Sequence, residues 1–379
     1  MGPLAGVRVL ELAGLGPGPL AGQFLADLGA AVTVVEQPDG GAAARLGGGG
    51  PSLLNRGKRS IVVDLKAPEG AALALRLAAR ADALIEGYRP GVTERLGLGP
   101  AECAEVNPRL VYGRVTGWGQ DGPLAQAPGH DLNYVALSGL LAHSSRAGAA
   151  PTVPPTVVGD GIGALALAFG IVCALLEARG SGRGQVVDAA MVDAAAAAGG
   201  LLHWLAAARG PGPTGPALLE GEAPFYDVYR CADGRFLSVA ALEPPFYRNL
   251  LAALELDGVT PADQYQPAGW PALRARLTAL LATRGRDEWC RLLEGRRACV
   301  APVLDVEEAA AHPHLVARGT YHRAGGVLQA APAPRFSRTA SPATPPAAEP
   351  PGGAPEAVRR ELGLGAEEIH RLRTRGVVA

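Results

Sequence analysis

Through the first third of the chain, runs of β-branched and aliphatic residues alternate with Ala- and Leu-rich stretches. The runs predict strands over 7–10, 31–35, 60–65, 83–85 and 110–116. The stretches between them predict helices over 19–28 and over 68–80, the second with Pro68 in its first turn. These strands show no alternation of polar with apolar positions, so both of their faces are to be covered, and strands separated by helices then predict an α/β fold around a parallel sheet. From 131 to 205 the pattern is mainly helical, broken by a strand over 184–188. The apolar run 161–176 is rich in Ala and Gly and falls short of the ~20 residues of a membrane span, so it is expected as a buried core helix.

The texture then changes. Strands over 228–231 and 235–240 flank Ala232-Asp233-Gly234, a strong hairpin signal, and helices are expected over 245–254, 270–282 and 286–293. Residues 340–355 are mostly Pro, Ala and Gly, the composition of a linker. A last helix over 366–375 carries Glu367 and Glu368 early and Arg371, Arg373 and Arg375 late, an order that complements the helix dipole. The expected organisation is a large α/β domain over 1–205, a connector over 206–221, a smaller α+β domain over 222–320 and a C-terminal return segment over 321–379.

Composition narrows the function. The 379 residues carry a formal net charge of -1, without the basic excess of a nucleic-acid binder, though a local basic groove for a phosphorylated ligand stays open. The cysteines Cys103, Cys173, Cys231, Cys290 and Cys299 are too widely spaced for a zinc site or a small disulfide framework, and reduced thiols are expected. No metal-ligand set stands out. The first residues lack the basic and apolar regions of a secretion signal, and the expectation is a soluble, cytoplasmic protein that binds neither nucleic acid nor membrane.

One familiar pattern fails on inspection. Gly14-Leu15-Gly16-Pro17-Gly18-Pro19 follows a strand, with Glu36 downstream, and so mimics a dinucleotide fingerprint. The third glycine would fall at Pro19, and Pro17 and Pro19 remove backbone N–H groups that a pyrophosphate needs. A tight strand-to-helix turn is the simpler account.

Three segments set ionisable groups among small or apolar residues. His130 lies between Gly129 and Asp131; Asp160 closes Val157-Val158-Gly159; Glu243 precedes Pro244-Pro245-Phe246. Taken singly, each has a plain structural account. Asp131 or Asp160 would serve as a helix N-cap, Glu243 as a first-turn acid and His130 as a loop histidine.

Several motifs together change that. Asn55-Arg56-Gly57-Lys58-Arg59-Ser60, Gly87-Tyr88-Arg89-Pro90-Gly91, Gly117-Trp118-Gly119-Gln120-Asp121-Gly122-Pro123 and Gly182-Arg183-Gly184-Gln185-Val186-Val187-Asp188 resemble the family III CoA-transferase (CaiB/BaiF) superfamily, with a match from Leu4 to about Ser341. Pro128-Gly129-His130-Asp131-Leu132-Asn133-Tyr134, Val158-Gly159-Asp160 and Glu243-Pro244-Pro245-Phe246-Tyr247 resemble its α-methylacyl-CoA racemase branch. The resemblance implies a Rossmann-like large domain, a small domain and an interlocked homodimer acting on an acyl-CoA. Coenzyme A then enters as part of the substrate, with no separate cofactor.

It also implies the roles. A weak carbon acid is racemised by a base on each face of the α-carbon, one deprotonated and the other protonated. Asp160 would serve one face and His130 the other, with Glu243 bonded to the imidazole. Amides at the start of the helix at Gly161 would face the enolate oxygen. Arg56, Lys58, Arg89 and Arg95 lie on family-like loops as candidates for the CoA phosphates, the alternative for each being a solvated surface charge. Gln37 stands where the branch often has Arg. With only Met1 and Met191, the acyl path would rely on Ala- and Leu-rich stretches such as 194–198. The rival within the superfamily is a CoA-transferase, in which Asp160 would be a nucleophile forming anhydride and CoA-ester intermediates.

Overall fold

A computed structural model describes residues 2–41, 53–144, 149–209, 218–342, 344–354, 356, 358 and 362–378; the middle of the expected 206–221 connector, residues 210–217, lies outside the described residues. Six strands form one sheet: β1 Arg8–Leu12, β2 Ala31–Glu36, β3 Arg59–Val62, β4 Ala83–Glu86, β5 Val111–Thr116 and β6 Val186–Ala190. Their order is β3-β2-β1-β4-β5-β6, and every neighbouring pair is parallel. The α/β fold with a Rossmann-like sheet is therefore present.

Period-two geometry sends neighbouring residues to opposite faces, and here both faces are buried. Leu10, Leu12, Leu84 and Tyr112 pack on one side with Leu73 and Leu77 and with Ile369 and Leu372 of the C-terminal helix Ala366–Thr374. Val9, Val32, Ile85 and Val115 pack on the other side with Leu25, Leu167 and Ile171. Each fully buried aliphatic side chain contributes on the order of 1.5–3 kcal/mol. The C-terminal return is covalently distant but structurally part of this layer, since Val378 bridges Val63 and the Asp64 N–H donates to Val377.

Contacts divide the chain into two compact units, one of Met1–Leu140, Pro154–Gly199 and His314–Ala379, the other of Leu141–Val153 and Gly200–Pro313. The second is built on the antiparallel strands β7 Tyr226–Arg230, β8 Phe236–Ala240 and β9 Val300–Pro302. The β7–β8 turn is the one expected, Cys231 and Arg235 being joined across Asp233-Gly234. Phe225 organises that core, with Tyr247 and Trp270 edge-on at 5.4 and 5.6 Å. A further hairpin, β10 Tyr321–Ala324 with β11 Val327–Ala330, turns at Gly325-Gly326 in the return segment, where the sequence pattern predicts no strand.

The expected core helix is longer than its apolar run. Ile162–Ser181 spans 20 residues and stops at Gly182. With the preceding turn it is long and apolar enough to cross a membrane by length and composition. One side packs on the sheet through Leu167 and Ile171, while Leu165, Phe169 and Leu176 are exposed on the other.

Candidate active site

In this strand order the chain leaves β1 in opposite directions across the sheet, and the carboxyl ends of β1 and β4 form the crevice where open α/β sheets place their ligands. The loops at that crevice carry the relevant groups. After β1, Gly16 adopts φ 72 and ψ -118 and caps the helix Pro17–Asp27. A Cβ added at Gly16 would lie 2.8 Å from Asp160 Oδ2, so the Asp160 carboxylate sits directly against the β1 turn. Two groups remote in sequence are thus brought to the switch point.

Asp160 belongs to a π-type turn, Val157–Gly161, leading into the helix Ile162–Ser181. Such turns are rare and recur at functional sites. Its backbone is anchored from outside: Asp131 Oδ2 accepts hydrogen bonds from the Gly159 N–H at 2.8 Å and the Asp160 N–H at 2.7 Å. The side chain is half-buried. Burial, and next the Asp131 carboxylate, push its pKa up to about 6, with His130 pulling the other way. A carboxylate with that proton affinity is suited to take and return protons near neutrality.

His130 is exposed, in extended conformation at the N-terminus of the helix Asp131–Leu137. Its own N–H donates to Asn133 Oδ1 at 3.1 Å. The preceding loop is held by Tyr134, whose hydroxyl donates to the Gly129 carbonyl and whose ring meets Trp118 edge-on at 4.8 Å. His130 thus stands next in sequence to the anchor of Asp160, and its charge acts on the Asp160 carboxyl.

Glu243 stands in the other unit, exposed, as N-cap of the helix Pro244–Ala253. Its charge reaches Tyr265 and Cys299, which belong to the same unit.

The four expected phosphate ligands divide into two pairs. Arg89 and Arg95 are exposed on the loop and short helix after β4, and neither forms a salt bridge with another described residue. Beneath them Glu86 accepts from the Tyr88 N–H at 2.7 Å and from Arg114 Nε at 2.6 Å, and Arg114 also bonds Glu94 at 2.8 Å. Burial pushes Glu86 up, against the pull of the Tyr88 N–H and Arg114. Tyr88 ties the loop to β1 by donating to the Ala13 carbonyl at 2.9 Å, and Gln37 donates to the Tyr88 oxygen at 3.3 Å.

Arg56 and Lys58, by contrast, face inward. Arg56 pairs with Asp27 at 2.6 Å and donates to the Ala330 carbonyl at 2.7 Å; Lys58 pairs with Glu11 at 2.7 Å and donates to the Pro19 carbonyl at 2.8 Å. The Lys58 ammonium group is fully buried. Burial dominates both partners, raising Glu11 and lowering Lys58. These two cations brace the loop before β3, buried in ion pairs and not the solvated surface charges of the alternative reading. Glu36, the would-be ribose ligand, accepts from Ser60 Oγ at 3.0 Å and Asn55 Nδ2 at 3.4 Å. Among the described residues no cluster of three or more His, Cys, Asp or Glu could hold a metal ion.

In sequence Asp131 reads only as a helix cap, and nothing there marks its bonds to the 159–160 backbone or the approach of Gly16 to Asp160. The available signal was an acid directly after His130 at a helix start.

A family model described as CoA-transferase family III matches residues 4–355. The chain is 42% identical to alpha-methylacyl-CoA racemase of Mus musculus, over 99% of this chain and 97% of that one. It is 39% identical to the Homo sapiens protein of the same name, with the same coverage. Among solved structures, a CAIB/BAIF family protein from Brucella suis superposes with a TM-score of 0.82 at 27% identity, covering 95% of this chain and 99% of that one.

Proposed function

From the premise that the chain belongs to CoA-transferase family III, we propose that it racemises 2-methyl-branched acyl-CoA thioesters by removing and returning the α-proton. The observation that carries this reading is the Asp160 carboxylate at the switch point, with its pKa pushed up to about 6 and His130 within electrostatic reach. Asp160 takes the proton on one face of the α-carbon, and His130 supplies one on the opposite face. The thioester oxygen collects the charge between these steps. A base near neutrality exchanges protons in both directions at similar cost, which a reversible racemisation requires. Relatives named alpha-methylacyl-CoA racemase at 39% and 42% identity support the same assignment.

Glu243 is proposed as the carboxylate that orients the His130 ring, within a homodimer in which one chain's Glu243 serves its partner's site. Its exposure at a helix start is compatible with that role. Arg89 and Arg95 are proposed to meet the CoA phosphates, and coenzyme A enters only as part of the substrate. A cytoplasmic location is proposed, where the five unpaired cysteine thiols would stay reduced.

The family name also admits a transferase, with Asp160 as a nucleophile. One experiment separates the two. A single enantiomer of a 2-methylacyl-CoA is incubated in deuterated buffer with no acceptor acid. Racemisation with deuterium uptake is expected; inertness until a free acid is added would sink the racemase reading.

A further inference from the structure

We propose that Asp131 is a positioning residue, whose carboxylate fixes the Asp160 backbone relative to His130 so that one dipeptide holds both proton-transfer groups. The inference rests on the two-base reading above and deepens it. His130 and Asp131 are joined by a peptide bond, so wherever the helix Asp131–Leu137 sits, the backbone positions that carry the imidazole and this carboxylate move together. One oxygen of Asp131, Oδ2, then receives both the Gly159 and the Asp160 N–H groups, at 2.8 and 2.7 Å. Both bonds are charge-assisted and Asp131 is only 8% exposed, conditions under which such bonds are strong. The approach requires a bare position at 159, where an added Cβ would come within 2.8 Å of Asp131 Oδ2. The π-type turn thus hangs from the residue next to the second base.

The same carboxylate is the second-largest cause holding up the proton affinity of Asp160, after burial. The other charged or titratable groups around Asp160 are few. His130 opposes the effect, Tyr134 interacts with Asp160, Asp131 and Arg89, and Asp27 on the helix Pro17–Asp27 is committed to Arg56. Asp193, on the packed helix Met191–Ala198, is exposed and is not among the causes acting on Asp160. Asp131 is therefore placed to set both where Asp160 stands and when it ionises.

The test uses the full-length protein and initial rates of α-deuterium exchange for each enantiomer, from about pH 5 to about pH 9. Asp131→Asn keeps an acceptor oxygen but loses the charge. It is expected to retain exchange at high pH within about tenfold, while the acid limb for the enantiomer deprotonated by Asp160 moves to lower pH. Asp131→Ala loses the anchor as well and is expected to lose about 100-fold for that enantiomer. A role confined to folding would lower rates at every pH and leave the limb in place. An Asp131→Asn limb coincident with that of the unmodified protein overturns the inference, whether or not Asp131→Ala folds. If the unmodified protein shows no exchange, the racemase reading fails instead, so the two failures are told apart.

Discussion

The contact between Gly16 and Asp160 makes Gly16→Ala the sharpest probe of the site. An alanine there meets two separate costs. The backbone at φ 72 and ψ -118 is a conformation for glycine, and holding a residue with a Cβ there costs on the order of 1–3 kcal/mol. The new methyl would also stand 2.8 Å from Asp160 Oδ2, so the carboxylate must retreat by about 0.6 Å to reach ordinary contact. It cannot retreat as a unit, because the Gly159 and Asp160 amides are tied to Asp131. Misplacement by 1 Å costs about 100-fold in rate, so a shift of this size predicts a loss of ten- to 100-fold in exchange. Gly182→Ala supplies the control: Gly182 also has positive φ, at 76°, but nothing lies within 4 Å of its added Cβ. Both variants are expected to melt at lower temperature, yet only Gly16→Ala should lose α-proton exchange, read as deuterium uptake per unit of folded protein. Equal activities in the two variants would refute the reasoning, since the carboxylate would then have room to step aside.

Three further outcomes are expected. Asp160 has a folded-state pKa raised to about 6, above its usual 3.8, so the stability tied to its proton is complete below about pH 4 and lost as pH rises through 6. Asp160→Asn should therefore melt higher than the unmodified protein above pH 6, with the gap closing near pH 4; a gap independent of pH would contradict the shift. Lys58→Met strands the buried Glu11 carboxylate and should cost about 3–5 kcal/mol, seen as a lower urea midpoint, whereas Glu11→Leu with Lys58→Met recovers most of the loss. Arg89→Ala should raise KM for the acyl-CoA with little change in kcat, and an unchanged KM would remove Arg89 from the phosphate site.

Much of the sheet was legible because its strands are buried on both faces and so read as plain apolar runs. The β7–β8 hairpin announced itself through Asp233-Gly234. What stayed hidden depends on partners far away in the chain. Arg56 and Lys58 lie on a Gly-containing loop beside other charges, which in sequence reads as solvent-facing; their burial follows from Asp27 and Glu11, which nothing local links to them. The β10–β11 hairpin hid for a different reason. Its strands are four residues each and mix His, Arg and Gln with aliphatics, so neither period nor composition marks them. At the site, the residue types suggest bases through family resemblance, but the placement of Asp160 against the β1 turn is a property of strand order.

The prolines at that turn have one more consequence. A helix start at the mouth of such a sheet ordinarily offers free N–H groups and a partial positive charge, which favour an anion and would draw a nearby carboxylic acid toward ionisation. Here Pro17 and Pro19 delete two of those donors from the helix whose capping residue touches Asp160. A crevice that related architectures equip to neutralise phosphate is thereby left poor in donors, and no backbone N–H stands among the groups that act on the Asp160 carboxyl. The departure that disqualifies the turn as a nucleotide cradle thus leaves burial and the Asp131 charge opposed at Asp160 by His130 alone.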